Sequence, residues 1–353
     1  MRILMTGATG RIGANVGRRM IDYGHRLLGF TVPNDSQAPK LEAIGADVIQ
    51  GNLESLDDTR RAMAGVDAVF HLGAAFQAGG PFTPRQYMQI NVQGTFNVFE
   101  AARERAGAIR HIVFSSTDAT LDKYPPEGNP EVLNEQSLTQ TQTDWYGFTK
   151  ILGERLADRY VRADGLPITV FRFPWVWGAG EFLDFPHFRL AFFLESFRGR
   201  SDSASRRTLA TLESLDDGTD PLVIALDANG RTWKKHTLDV RDIVQAFERV
   251  LGVEQAFGGV YQLGGPEAFT WREAVPVVAD VLDRRVVKAR MAGMPPTFYE
   301  FDLSAARRDF GFDPQFHWRS TLAEAVRYAR SGDSDIIPTT VPASDDSPGR
   351  LAK

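Results

Sequence analysis

An α/β fold built on a doubly wound parallel sheet is predicted by three observations. Near-continuous apolar runs recur through the first half of the chain, helix-patterned segments separate them, and a glycine-rich turn directly follows the first run. The runs are RILMT (2–6), RLLGFT (26–31), DVIQ (47–50), DAVFHL (67–72), HIVFSS (111–116) and ITVFRF (168–173). They lack the apolar/polar alternation of half-solvated strands, as expected for strands buried on both faces. Between them, Ser55 is placed to cap SLDDTRRAMAG, with two aspartates in its first turn and Gly65 at its stop. Pro84 is placed to open a long helix running to about residue 105. Such alternation closes through right-handed crossovers.

The pattern divides the chain into a first part, 1–177, and a smaller, helix-rich part, 178–330. Residues 232–265 interleave between the two, with TLDVRDIVQAFERVL (237–251) read as a helix and VYQLGG (260–265) as a returning strand. The Ser/Arg stretch RGRSDSASRR (198–207) is expected to be a mobile surface loop, with a lid whose arginines meet an anionic substrate group as the alternative. The Pro/Ser/Asp-rich tail, 331–353, is expected to be disordered.

Composition excludes several chemistries. The 353 residues include no cysteine, so disulfides, thiolate catalysis and cysteine-ligated zinc are ruled out. The six histidines (25, 71, 111, 187, 236 and 317) never fall at HxxxH or HxH spacing, and no metal site is expected. A net charge of −5 predicts neither nucleic acid nor an anionic membrane as partner. The Phe-rich run FLDFPHFRLAFFLESF (182–197) is too short and too charged to span a bilayer. Met1 leads straight into RILMT with no signal-peptide pattern, so a cytoplasmic location is expected.

Three motifs carry chemistry. In TGATGRIG (6–13), Gly7, Gly10 and Gly13 permit a tight turn and close backbone approach. The helix that begins there offers amide groups and a positive dipole end to a pyrophosphate, the Rossmann-type arrangement. At the end of the second run, Thr31 stands where an acid would hold the ribose of NAD. No phosphate-binding cluster is visible, although Lys40 and Arg11 are candidates, so NAD is expected, with NADP as the alternative. The second motif, FSSTD (114–118), puts hydroxyls at the carboxyl end of a strand, where such sheets bind ligands. The third is TDWYGFTK (143–150), in which Lys150 lies one helical turn beyond Tyr146. A cation near the phenol would lower its ordinary pKa of about 10 and suit it to acid/base work. The stripe Trp145, Phe148, Leu152 and Leu156 is expected to pack this helix onto the sheet.

Together with HLGAA (71–75), NVQGTFNVFEAA (91–102), FRFPWVWGAG (171–180) and KHTLDVRDIVQAF (235–247), these motifs resemble the extended short-chain dehydrogenase/reductase superfamily, in its epimerase/dehydratase group. The likeness spans about residues 1–325 and implies a smaller C-terminal substrate-binding domain. It implies Tyr146 as proton donor and acceptor, Lys150 as the ribose-binding cation, and Thr117 as the hydroxyl positioning the substrate oxygen, with Ser115 and Ser116 beside it. It implies a cofactor site of Gly7, Thr9, Gly10, Arg11, Ile12, Gly13, Thr31, Asn52, Leu53, Leu72, Gly73, Ala74, Ala75, Asn91, Phe173 and Val176, completed by Tyr146 and Lys150. It also implies a homodimer packed through the helix at about 84–105 and the Tyr/Lys helix, a face that Phe96, Phe99, Leu152 and Tyr160 suit, with ordinary core as the alternative for these four.

The departures narrow the expectation. Dehydratases of this group carry Thr-Asp-Glu where this chain has Thr117-Asp118-Ala119, which counts against dehydration. The stretch KARMAGMPPTFYEFDLSAARRDFGF (288–312) lacks the segment that nucleotide-sugar epimerases use there, and Lys235 alone keeps a basic residue near a family arginine. Net oxidoreduction of a secondary alcohol or ketone on a small polar, sugar-like substrate is therefore expected, ahead of epimerisation. A non-catalytic dinucleotide sensor ranks below both, because such proteins lose the Tyr/Lys pair that this chain keeps.

Overall fold

The computed structural model describes residues 1–76, 82–137 and 139–340. The first half alternates as anticipated: β1 (Arg2–Thr6), α1 (Arg11–Asp22), β2 (Arg26–Thr31), α2 (Pro39–Ala43), β3 (Asp47–Gln50), α3 (Leu56–Ala62), β4 (Ala68–His71), α4 (Pro84–Tyr87), α5 (Gly94–Arg103), β5 (His111–Thr117), α6 (Trp145–Asp164) and β6 (Ile168–Phe173). The remainder holds β7 (Trp175–Trp177), α7 (Leu190–Arg198), α8 (Ser203–Leu215), β8 (Leu222–Leu226), β9 (Lys234–Lys235), β10 (Thr237–Asp239), α9 (Val240–Val250), β11 (Val260–Gln262), β12 (Phe269–Thr270), α10 (Trp271–Leu282), β13 (Val286–Arg290), α11 (Ser304–Phe310) and α12 (Trp318–Ser331).

Seven strands form one sheet in the order β11-β6-β5-β4-β1-β2-β3, and every pairing in it is parallel. The strand order reverses between β1 and β4, which opens a crevice at their carboxyl ends. Five of the runs are largely buried because both faces are covered, whereas β3, expected to be buried likewise, is the edge strand and has no buried residue. Ile3, Met5 and Phe70 join one apolar cluster with Phe171 and Phe247, while Leu4 and Val69 join another with Phe99 and Phe114. The Phe-rich run builds a further cluster in which Phe182, Phe185, Phe188 and Phe193 pack with Trp177, Trp233 and Trp271.

Three expectations need correction. The helix expected from residue 84 to about 105 is interrupted by a π-helical stretch, Met88–Gln93, and ends at Arg103. The wider turn lets Asn91 point inward, where its side chain is fully engaged. The Ser/Arg stretch is no loop from Ser203 onward. Asp202 caps α8 by accepting the amide of Ser205, and Ser205, Thr208 and Leu212 face inward. Arg206 and Arg207 are exposed on that helix.

The tail is ordered as far as it is described. Asn15 hydrogen-bonds both backbone groups of Ile337 (2.8 and 2.9 Å), and Lys40 Nζ donates to the carbonyl of Thr339 at 2.9 Å. Ile336 is buried. The rest of the tail expected to be disordered, 341–353, lies outside the described residues. Among the described residues, no helix is long and apolar enough to cross a membrane.

Candidate active site

The glycine turn is shaped by contacts that exclude side chains. Gly7 has φ +65°, and a Cβ there would lie 2.8 Å from the amide nitrogen of Gly73, so the ends of β1 and β4 all but touch. A Cβ on Gly13 would lie 2.3 Å from the Gly7 carbonyl, which draws α1 tight against the turn. Gly10 is the N-cap of α1 and provides no capping side chain, and no acid occupies the first turn. The amides of this helix end are thus left for a ligand, in contrast to the side-chain-capped α3, α6 and α9. Ile12 packs on the core, and the Arg11 guanidinium pairs with Glu181 at 2.8 Å.

At the end of β2, the hydroxyl of Thr31 is buried without a hydrogen-bond partner among the described residues. Asp35, which the sequence reading did not single out, accepts the Thr9 hydroxyl at 2.7 Å. Its carboxylate therefore sits beside the glycine turn. Asn52 is exposed and accepts the amide of Glu54, forming a local turn at the end of β3. Leu53 packs where a Cβ on Gly73 or Gly94 would stand.

Beyond β4, one directional chain of hydrogen bonds crosses the crevice. The Gly73 amide donates to Thr6 Oγ1 (2.9 Å), which pairs with His71 Nδ1 (2.8 Å). His71 Nε2 pairs with Thr95 Oγ1 (3.0 Å), whose hydroxyl donates to the Asn91 carbonyl (2.6 Å). Burial, helped by the charge of Lys150, pushes His71 down to about 3, so it stays neutral with its proton on Nε2. Asn91 accepts the Ala75 amide at 2.7 Å and donates to the Ala75 carbonyl at 2.9 Å and to Thr149 Oγ1 at 3.0 Å. It was expected to touch cofactor. The structure instead engages both ends of its amide in joining the β4 loop, with Leu72 and Ala74 half-buried, to the Tyr/Lys helix.

Asp144 caps α6 through the Gly147 amide at 2.9 Å. Gly147 lets the helix start close to β5, since a Cβ there would lie 2.5 Å from the Ala119 carbonyl. This sets Tyr146 beside the strand end. Burial pushes the Tyr146 pKa up to about 12, with the Thr117 hydroxyl pulling the other way. The expected lowering by Lys150 is absent. That ammonium is buried, donates to the Ser115 carbonyl at 2.5 Å and lies 4.4 Å from the centre of the Phe114 ring. Burial pushes Lys150 itself down to about 7, with Glu154 opposing.

Ser116 is not brought to Tyr146. As successive strand residues face opposite ways, its hydroxyl turns to Glu154 Oε1 at 2.5 Å, and Arg172 forks the same carboxylate at 2.9 and 2.7 Å. The aromatic part of the stripe is also corrected. Trp145 and Phe148 are exposed and Leu152 is half-buried, whereas Leu156 packs against the core as expected and Gly153 and Ala157 face the sheet. A Cβ on Gly153 would lie 2.7 Å from the Phe114 ring, so only small residues fit at that approach. Phe173 and Val176 are buried in the core where β6 leads into β7.

Comparison with known proteins places this geometry. The profile of the NAD dependent epimerase/dehydratase family matches residues 3–264. A 2-alkyl-3-oxoalkanoate reductase of Stenotrophomonas maltophilia is 29% identical, over 89% of this chain and 95% of its own. An uncharacterised UDP-glucose epimerase of Bacillus subtilis is 26% identical, over 94% and 98%. A short-chain dehydrogenase/reductase superfamily protein of Agrobacterium tumefaciens, solved with NAD bound, superposes with a TM-score of 0.79 at 27% identity, over 94% of this chain and 98% of that one.

Proposed function

We propose, from the premise that this chain belongs to the NAD-dependent epimerase/dehydratase family, that it interconverts a secondary alcohol and a ketone on a small polar substrate. The single observation that carries this reading is the placement of Tyr146 and the buried Lys150 one turn apart on α6, against the carboxyl end of β5, where Lys150 donates to the Ser115 carbonyl.

The cofactor is NAD. The glycines of the turn and the amides at the start of α1 would hold its pyrophosphate, and the buried, unpartnered Thr31 hydroxyl would be available to its ribose. The Asp35 carboxylate beside Thr9 opposes a ribose phosphate, which favours NAD over NADP. NAD, when bound, supplies or accepts the hydride. Tyr146, protonated at neutral pH, donates its proton to a ketone oxygen and takes it back from an alcohol. Thr117 would orient that oxygen, and Lys150, one turn further on, would bind the ribose. The Glu154–Arg172 pair, with Ser116, fixes α6 against β5 and β6.

A smaller C-terminal region, about 178–330 with its Trp/Phe cluster, closes over the substrate. Two chains pair through α5 and α6, where Phe96, Trp145 and Phe148 stay exposed; Phe99 and Tyr160, expected at that face, are instead buried in the core of the single chain.

The test is stoichiometry. Net oxidoreduction changes one nicotinamide per product, across a panel of sugars, sugar acids and alcohols. An epimer formed with no net change in nicotinamide would instead support a sugar or nucleotide-sugar epimerase, the second reading. That reading draws on the Bacillus subtilis relative and on a UDP-glucose 4-epimerase of Corynebacterium glutamicum, 25% identical over 92% of this chain.

A further inference from the structure

We propose that Lys235 recognises a carboxylate of the substrate, so that the substrate class is a hydroxy or keto acid. The inference rests on the oxidoreductase reading and names the substrate of that same site.

Strand β9 turns its two lysines opposite ways. Lys234 reaches outward to Glu300 at 3.1 Å. Lys235 is only 4% exposed and has no hydrogen bond or ion pair among the described residues. Its ammonium instead lies over aromatic faces, 4.9 Å from the centre of Trp175 and 5.3 Å from that of Phe185. An isolated buried cation is costly, and ring faces offset only part of that cost.

The neighbours sharpen the point. Asp118 and Lys123, both buried, pair with each other at 2.9 Å. Burial pulls Lys235 down to about 7 and it feels both members of that pair, so a bound carboxylate would hold it charged. A single anionic oxygen pair would balance it, whereas a doubly charged phosphate would overshoot and meet Asp118. The polar groups beside it are the Tyr299 hydroxyl, turned toward Tyr124 and Asp118, and His187 Nδ1, buried without a partner among the described residues. They suit the hydroxyls of a polyhydroxy acid, with Asp118 as an acceptor. The group adjoins the reacting centre, because Asp118 directly follows Thr117 and its charge is felt by Tyr146.

The experiment is calorimetric titration of the NAD-loaded enzyme with threonate, gluconate and galacturonate, each against its primary amide, for wild type and Lys235→Met. The expected result is at least about tenfold tighter binding of an acid than of its amide in wild type, and no preference in the variant. The variant's thermal midpoint, read without ligand, should hold or rise, since an unpaired buried charge has gone. Equal binding of acid and amide by wild type overturns the proposal without recourse to the variant. So does an acid preference that survives Lys235→Met, or a lowered midpoint with that preference intact, which marks a structural cation. If the acids bind through Lys235 yet none exchanges hydride with nicotinamide, the oxidoreductase reading falls and the carboxylate site stands. If a neutral alcohol is oxidised as efficiently as its acid, the carboxylate site falls and the oxidoreductase reading stands.

Discussion

Asn91 donates its side-chain amide to Thr149 Oγ1 at 3.0 Å, tying the π-helical stretch to the helix that carries Tyr146 and Lys150. Because the same side chain clamps both backbone groups of Ala75, the β4 loop and the Tyr/Lys helix are held as one body. Asn91→Ala leaves buried partners on both sides unpaired, at roughly 1–3 kcal/mol each. We expect kcat to fall about 10- to 100-fold at saturating cofactor, together with a lowered melting temperature. Steady-state kinetics and a thermal melt decide it. An unchanged kcat would reduce Asn91 to a purely structural residue.

Lys150 makes stability depend on pH in a stated direction. Its folded pKa is about 7, below the ordinary 10.5, so between those values the unfolded chain binds a proton that the folded chain does not. Stability therefore rises with pH through that window, and the cost of burying the ammonium is fully present below about pH 7. Lys150→Met removes the cost. Without nucleotide, it should raise the melting temperature by a few degrees near neutral pH and by less near pH 10. The difference between variant and wild-type melts, followed against pH, checks this. A constant difference would contradict it.

Gly13 is the position where shape alone governs the cofactor cradle. A Cβ there sits 2.3 Å from the Gly7 carbonyl, so Gly13→Ala must push α1 away from the turn. NADH affinity, measured by fluorescence titration, should weaken at least about tenfold. Affinity equal to wild type would show that the helix end does not hold the pyrophosphate.

The dimer proposal rests on Phe96, 37% exposed, and Phe148, 38% exposed, on adjacent helices. Phe148→Glu should convert a sedimenting dimer into a monomer. A wild-type monomer at micromolar concentration would remove the proposal.

Much of this was legible in the chain because its signals are local. The five buried runs, the glycine turn and the Tyr146/Lys150 spacing each declare themselves within a few residues. The stripe Trp145/Phe148 misled because periodicity shows that a helix has an apolar face, not which face meets the sheet. That choice was made by Gly153 and Ala157, whose small size permits close approach to Phe114. Asp35 was invisible as a site residue, since it reaches Thr9 across 26 positions. The His71–Thr95 link and the Asn15 grip on Ile337 are long-range in the same way. Helix α8 carried a readable sign, Asp202 ahead of Ser205, Thr208 and Leu212, which its Ser/Arg composition obscured.

The central claim is that Tyr146 exchanges the proton that accompanies hydride transfer. Its most direct test compares wild type with Tyr146→Phe on the first substrate found to turn over, with nicotinamide absorbance giving the rate and a binding titration showing the cofactor still held. A fall in kcat of roughly 100- to 10,000-fold with NADH affinity retained is expected. A Phe variant that keeps the wild-type kcat would contradict it.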